Sequence, residues 1–309
     1  MTSQRPSTLA TPEAGARLMR DVELLSGWLG ERHDGSGEHH AHLRAAADHI
    51  YERLTAAGWS TRLQPFGGEE GRVVENVQAE RLGARAPEEI VVVGAHYDTI
   101  RGGPGAEDNA TGVAAILALA AELGGPMDRT VRIVAFANEE HPHTRRRTMG
   151  SLVHARACRA AGERVVAMLS LECLGFHVSH AAPKARRDAL TLLQRIVPFW
   201  TTGAFVVSNL RSMRLADTVA SSLCATGGLP IHRVTAPGFL PLAKSSDHWS
   251  FWKNGYPAIM ITDGAPLRYR HYHRRTDTAE HLDPMALAAL ARGASQAVDT
   301  IASTVRFRV

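Results

Sequence analysis

Four stretches of the chain are apolar at nearly every position and then run abruptly into polar residues: IVVVGAH (90–96), TVRIVAFANEE (130–140), RVVAMLSLE (164–172) and YPAIMITD (256–263). Continuous apolar runs of this length predict strands covered on both faces. AFVVSN predicts a further strand near 203–208, and extended segments are expected near 60–66, 73–80 and 230–235. Between them the apolar period changes to that of a helix. Thr11-Pro12-Glu13 reads as an N-cap with proline at the first helical position, opening a helix towards Trp28. In HAHLRAAADHIYERLTAAGW, Leu43, Ala47, Ile50 and Leu54 share one face, and Gly58 suits the residue after the C-cap. The segment after Asn109 is apolar nearly all round, which predicts a buried helix. Helices are also expected near 184–197, 212–226 and 283–303. Strands alternating with helices imply an α/β chain of three α/β/α layers, with a mixed, mostly parallel central sheet. No repeat or linker interrupts it, so the expectation is a single domain over 1–309, with helices of 1–58 packed on it.

Composition narrows the function classes. With 44% hydrophobic and 21% charged residues, the chain can bury a sizeable core. Its net charge of +4 is small and dispersed, with no aromatic-interleaved basic stripe, so nucleic acid is not an expected partner. Cys158, Cys173 and Cys224 form no CxxC pair and are expected to be small buried hydrophobes. The first residues contain no apolar signal-like core, and GVAAILALAAELGG is too short to span a bilayer. A cytoplasmic protein without membrane association is the expectation; its oligomeric state is left open.

The candidate chemistry lies where the apolar runs stop. Ligands of such sheets bind beyond the carboxyl ends of the strands, and those ends carry His96, Glu139-Glu140, Glu172 and Asp263, the last ahead of His271-Tyr272-His273. A lone histidine or an acidic pair is ordinary. Several at one edge of one sheet suggest a pair of divalent cations: His96 and Glu172 on one, Glu140 and His273 on the other, and Asp108 bridging. Three carboxylates against two divalent ions leave one positive charge, which a bridging hydroxide neutralises. Mixed imidazole and carboxylate ligation suits zinc, with cobalt or manganese possible. Asp98, two residues beyond His96, is expected to accept the second ring N–H of that histidine. Glu139, adjacent to the ligand Glu140 but pointing elsewhere, is expected to transfer protons. Gly102, Gly103 and Gly105 are expected to let the chain turn Asp108 back towards His96.

The succession HYD, AEDNATG, NEE, LE, SSDHWSFWKNGYPA and YHRRTDT resembles metallopeptidase family 28, co-catalytic zinc exopeptidases to which glutaminyl cyclases are related. The resemblance covers about Leu25 to Ala302 and implies a phosphorylase/hydrolase-like fold with a mixed sheet of roughly eight strands. It implies a two-zinc exopeptidase with His96, Asp108, Glu140, Glu172 and His273 as ligands, Glu139 as general base and Asp98 beside it. It favours His273 over His271, and places Asn109, Asp247, His248 and Tyr272 as supporting or substrate-facing residues. Glu172 departs from the aspartate of better-known members. Two arginine-rich stretches, with Arg145, Arg146 and Arg147 in one and Arg268, Arg270, Arg274 and Arg275 in the other, also depart from the pattern; they form either a solvated rim or a site for a substrate carboxylate.

The expected activity is aminopeptidase, acting on peptides or aminoacyl amides. A carboxypeptidase, a single-zinc glutaminyl cyclase-like acyltransferase and a non-catalytic binding protein of the same fold are the alternatives. The Asp108-Asn109 dipeptide speaks against the cyclase, and the complete ligand set speaks against loss of catalysis.

Overall fold

The structure, a computed structural model, describes residues 7–176, 203–226, 228–237 and 244–304. The helix expected near 184–197 lies outside these residues. Eight strands among them form one sheet: β1 (Ser60–Gly67), β2 (Val73–Arg81), β3 (Ala86–His96), β4 (Arg129–Phe136), β5 (Arg164–Glu172), β6 (Ala204–Ser208), β7 (Ile231–Thr235) and β8 (Ala258–Thr262). Their order is β1-β2-β4-β3-β5-β8-β6-β7. The central run β4-β3-β5-β8 is parallel, as is β6 with β7, whereas β1–β2, β2–β4 and β6–β8 are antiparallel. The mixed sheet flanked by helices is the architecture expected.

Alternation along β3 explains why its sequence is apolar throughout. Val91, Val93 and Ala95 enter one core, shared with α3 (Thr111–Glu122) and α7 (Pro284–Ala302). Ile90 and Val92 enter another, formed with Ala155 and Cys158 of α4 (Gly150–Ala160) and Phe251 of α6 (His248–Lys253). A charged side chain at any of these positions would lose its hydration without a partner. The first core also takes α1 (Pro12–Glu23), α2 (Gly37–Ala56) and α5 (Met213–Thr226), so most helical mass lies on one side of the sheet.

Most local expectations hold. α1 begins at Pro12, although Thr11 makes no side-chain capping bond. α2 buries Leu43, Ala47, Ile50 and Leu54, and Gly58 follows its C-cap with φ of 80°. α3 is buried along nearly its whole length. Cys158 and Cys173 are buried, but Cys224 is exposed, because it falls on the outward side of α5. Among the described residues no helix is long and apolar enough to cross a membrane.

Candidate active site

Parallel strands put their carboxyl ends on one edge, and the chemistry gathers there. His96 and Glu172 are the last residues of β3 and β5, next to each other in the sheet. β4 stops at Phe136, and the chain then turns through Asn138 (φ 58°) to Glu139 and Glu140. Asp108 lies in the turn Ala106–Ala110 before α3, joined to Asn109 by a cis peptide. His273 (φ 56°) comes from the loop beyond the short helical turn Ala265–Arg268.

Their side-chain tips converge. His96 Nε2 is 3.2 Å from Asp108 Oδ1 and 3.5 Å from Glu172 Oε2. His273 Nε2 is 3.0 Å from Asp108 Oδ2 and 3.1 Å from Glu140 Oε1. Two groups thus arise, His96–Asp108–Glu172 and Asp108–Glu140–His273, each with its ligand atoms within 4.8 Å of one another. Asp108 belongs to both and turns one oxygen to each.

Whether these residues suit a cation can be judged from their unmet valences. Asp108 Oδ2 and Glu140 Oε1 are buried without a well-formed hydrogen bond, an expensive arrangement unless positive charge sits beside them. Two other clusters with ligand-type side chains, Glu31–His33–His39 and Asp34–Glu69–His143, differ in this respect. Glu31 Oε1 takes the Gly102 amide at 2.6 Å and lies 2.8 Å from His33 Nε2, while His33 Nδ1 accepts the Gly35 amide. Asp34 accepts from the Glu69 amide and from Asn138, and pairs with His143. Protein donors already satisfy these groups. Among the described residues, the central pair of half-sites is the group whose donor set fits metal ions.

The charges around the centre push in the same direction. Burial works against a charged His96, yet Glu172, Asp108 and Asp98 outweigh it and raise its pKa well above the usual imidazole range. His273 rises to about 10, as Asp108 and Glu140 overcome its burial. Burial and the adjacent Asp108 carry Glu140 up to about 7, and burial raises Glu139 well above the ordinary glutamate value. The pocket stabilises added positive charge, whether protons or divalent cations bring it.

A layer of hydrogen bonds fixes the geometry. Asp98 accepts the amides of Glu139 and Glu140 at 3.0 and 3.1 Å. Thr144 Oγ1 donates to the Glu139 carbonyl at 2.8 Å. Ser246 Oγ donates to Glu172 Oε2 at 2.6 Å. Asn109 ties α3 to β5, donating to the Leu171 carbonyl at 2.8 Å and accepting the Gly112 and Cys173 amides. Asp277 accepts the amides of Glu107 and Asp108 at 2.9 and 3.2 Å.

The second ring nitrogen of His96 faces both the carbonyl and the carboxylate of Asp98. β3 ends at His96, so strand alternation no longer governs position 98. His96 Nδ1 is hydrogen-bonded at 3.2 Å to the main-chain carbonyl of Asp98, and the carboxylate, 3.5 Å away, is turned to the Glu139-Glu140 amides. Gly102 and Gly105 adopt positive φ but Gly103 does not. Asp247 is fully buried, with neither oxygen in a well-formed hydrogen bond; His248 packs edge-on against Trp252. Tyr272 stacks on His273 with ring centroids 4.0 Å apart. His271 instead stacks on His281 and bonds Thr276. Arg145, Arg146, Arg147, Arg270, Arg274 and Arg275 are exposed, whereas Arg268 lies over the Phe205 ring. Sequence reasoning missed Ser246, Asp277, Arg32 and Asp34. The first two sat unassigned inside motif blocks, and the last two in a coil without periodicity.

A model of Peptidase family M28 matches residues 76–298. The chain belongs to that family. It is 32% identical over 294 residues to the Escherichia coli (strain K12) protein YfbL, itself uncharacterized, covering 92% of this chain and 86% of YfbL. It is 25% identical to leucine aminopeptidase 1 of Arthroderma otae, covering 77% of this chain and 62% of that one. In fold it is similar to a zinc aminopeptidase from Bacillus subtilis, with a TM-score of 0.73, 13% identity and coverage of 95% and 96% of the two chains. A Porphyromonas gingivalis glutaminyl cyclase is also similar, with a TM-score of 0.67, 19% identity and coverage of 93% and 98%. Membership makes the chain a peptidase-family protein, and the M28 architecture expected from its motifs is present.

Proposed function

We propose that this protein is a zinc-dependent aminopeptidase that binds two ions and removes N-terminal residues from peptides. One observation carries the proposal: Asp108 divides its two oxygens between two half-sites, and one of those oxygens has no well-formed hydrogen bond. His96, Asp108 and Glu172 would hold one ion and Asp108, Glu140 and His273 the other, with cobalt or manganese as substitutes. Bound zinc supplies polarisation of the scissile carbonyl and a nucleophilic water at neutral pH.

The protein's own share is positioning and proton transfer. Glu139 stands outside both ligand groups but on the same turn as Glu140, held by the Asp98 bond to its amide. Its carboxylate takes the proton of the attacking water and delivers it to the amine nitrogen as the peptide bond breaks. Burial raises the Glu139 pKa well above the ordinary glutamate value, which makes its carboxylate a stronger proton acceptor. Asp98 orients the turn, and Asp277 and Asn109 orient Asp108.

The test is a panel of aminoacyl amides, N-blocked peptides and a glutaminyl peptide, with protein stripped of metal and reloaded with zinc. Metal-dependent hydrolysis of free-amine substrates alone is the expected result. Cleavage of blocked peptides from the carboxyl end would replace the proposal with a carboxypeptidase and give the exposed arginines a substrate carboxylate to bind. Pyroglutamate formation would replace it with a cyclase, and no turnover of any substrate would sink it.

A further inference from the structure

The segment Glu31–Gly35 lies ahead of the residues matched by the family model. It nevertheless reaches both loops of the site. Arg32 is fully buried and spends its guanidinium on main-chain carbonyls: Nε donates to Tyr97 at 2.9 Å, and Nη1 donates to Leu25 and Gly30 at 2.6 Å and to Pro104 at 2.9 Å. Tyr97 and Pro104 lie in the loop that runs from His96 to Asp108. The Arg32 amide donates to Thr99 Oγ1, and the Thr99 amide returns a bond to the Arg32 carbonyl.

Two residues on, Asp34 grips the other loop. Its Oδ1 is 2.9 Å from His143 Nε2 and its Oδ2 accepts from Asn138 Nδ2 at 3.1 Å. These partners flank Glu139-Glu140 on either side. His143 is itself fixed by Thr148 Oγ1 at 2.8 Å, and its amide closes the turn onto the Glu140 carbonyl at 2.8 Å. Burial raises the Asp34 pKa, but bonds from His143, the Glu69 amide and Asn138 outweigh it and hold the group at about 2. It therefore stays ionised at neutral pH, as a charge-assisted acceptor.

We propose that Arg32 and Asp34 are positioning residues for the reaction, a clamp that sets the Asp108 loop against the Glu139-Glu140 loop. The N-terminal segment is then a working part of the active site. This rests on the peptidase reading for its catalytic consequence, though not for its geometry. A misplacement of about 1 Å in a catalytic group can cost on the order of a hundredfold in rate. Asp34 holds both shoulders of the turn that carries the base, so it is the residue whose loss should be felt in turnover.

The decisive variant is Asp34→Asn, which keeps the shape but removes the negative charge that the three partners His143, Asn138 and the Glu69 amide share. Hydrogen exchange followed by mass spectrometry should show Asn138–Thr148 exchanging about tenfold faster, with the β3 and β5 peptides unchanged. kcat should fall by about 10- to 100-fold with KM within about threefold. One of the two zinc equivalents, measured by chelator competition, should weaken about tenfold because Glu140 rides on the loosened loop. His143→Ala should follow the same pattern if Asp34→Asn does not fold, and His143→Gln, which keeps a donor to Asp34, should recover part of the loss. Unchanged exchange over Asn138–Thr148 overturns the proposal, as does a loosened loop with wild-type kcat and zinc affinity. If the wild-type protein cleaves none of the substrates, the peptidase reading fails separately, and exchange and zinc competition still decide the clamp.

Discussion

Asp277 accepts the main-chain N–H of Asp108 at 3.2 Å across 169 residues of sequence. The acid proposed to serve two ions is thus oriented by a second acid from much later in the sequence. Asp277 also takes the Glu107 amide and the Tyr269 hydroxyl. The turn around Asp108 is held from outside as well as folded from within.

That turn has no room for a side chain at its start. Gly105 has φ of 63°, and a Cβ there would lie 2.4 Å from the Asp108 carbonyl oxygen. Gly105→Ala should cost about 2–3 kcal/mol through left-handed strain and overlap. Urea denaturation should show the loss, and zinc titration should show weakened uptake.

Asp108→Asn keeps the volume and removes the charge shared by the half-sites. Zinc content after gel filtration should fall from about two ions per chain to fewer than one, because each half-site loses an anionic ligand. Elemental analysis of the purified variant checks this. Full zinc loading would contradict the shared-ligand arrangement.

Glu139→Gln should separate proton transfer from metal binding. Glu139 is in neither ligand group, so zinc content should match the wild type while kcat falls by about 10²- to 10⁴-fold. Steady-state kinetics on an aminoacyl amide, beside the metal analysis, tests both halves. Wild-type turnover would remove Glu139 from the mechanism.

Acid sensitivity should come partly from outside the site. His154 is buried between the Phe136 and Phe251 rings, and burial, helped by Arg132, lowers its pKa from 6.5 to about 3. Its folded pKa lies below the unfolded one, so its contribution is intact above pH 6.5 and is lost as the pH falls towards 3. Between pH 6.5 and 4.5 this amounts to roughly 2–3 kcal/mol. His154→Phe has no proton to gain, and its unfolding free energy should fall less over that interval. Parallel pH dependences for variant and wild type would refute the assignment.

The parts legible in the sequence were those dictated by burial. β3 had to be apolar on both faces, and its run ends on the proposed ligand His96, so the run and its terminus could be read together. Glu172 was legible for the same reason. His273 leaves an irregular loop, and only the resemblance of its motif favoured it over His271. Asp98 follows the last paired residue of β3, so strand alternation could not show that its carboxylate also takes the Glu139 and Glu140 amides. Arg32 and Asp34 were not legible at all. Arg32 binds main-chain oxygens such as that of Tyr97, 65 residues away, and a carbonyl acceptor leaves no trace in side-chain pattern. Asp34 meets His143 across 109 residues, from a stretch with no hydrophobic period.

The residues brought together here come from widely separated stretches of the chain. His96 and Glu172 end neighbouring strands, Glu140 follows β4, and His273 leaves a loop beyond β8. Neither group of ligand-type side chains can assemble from one local segment. A chain that has paired β3, β4 and β5 but has not yet docked the region after β8 would hold its acids without the imidazole of the second half-site, so cation uptake should report on completion of the fold.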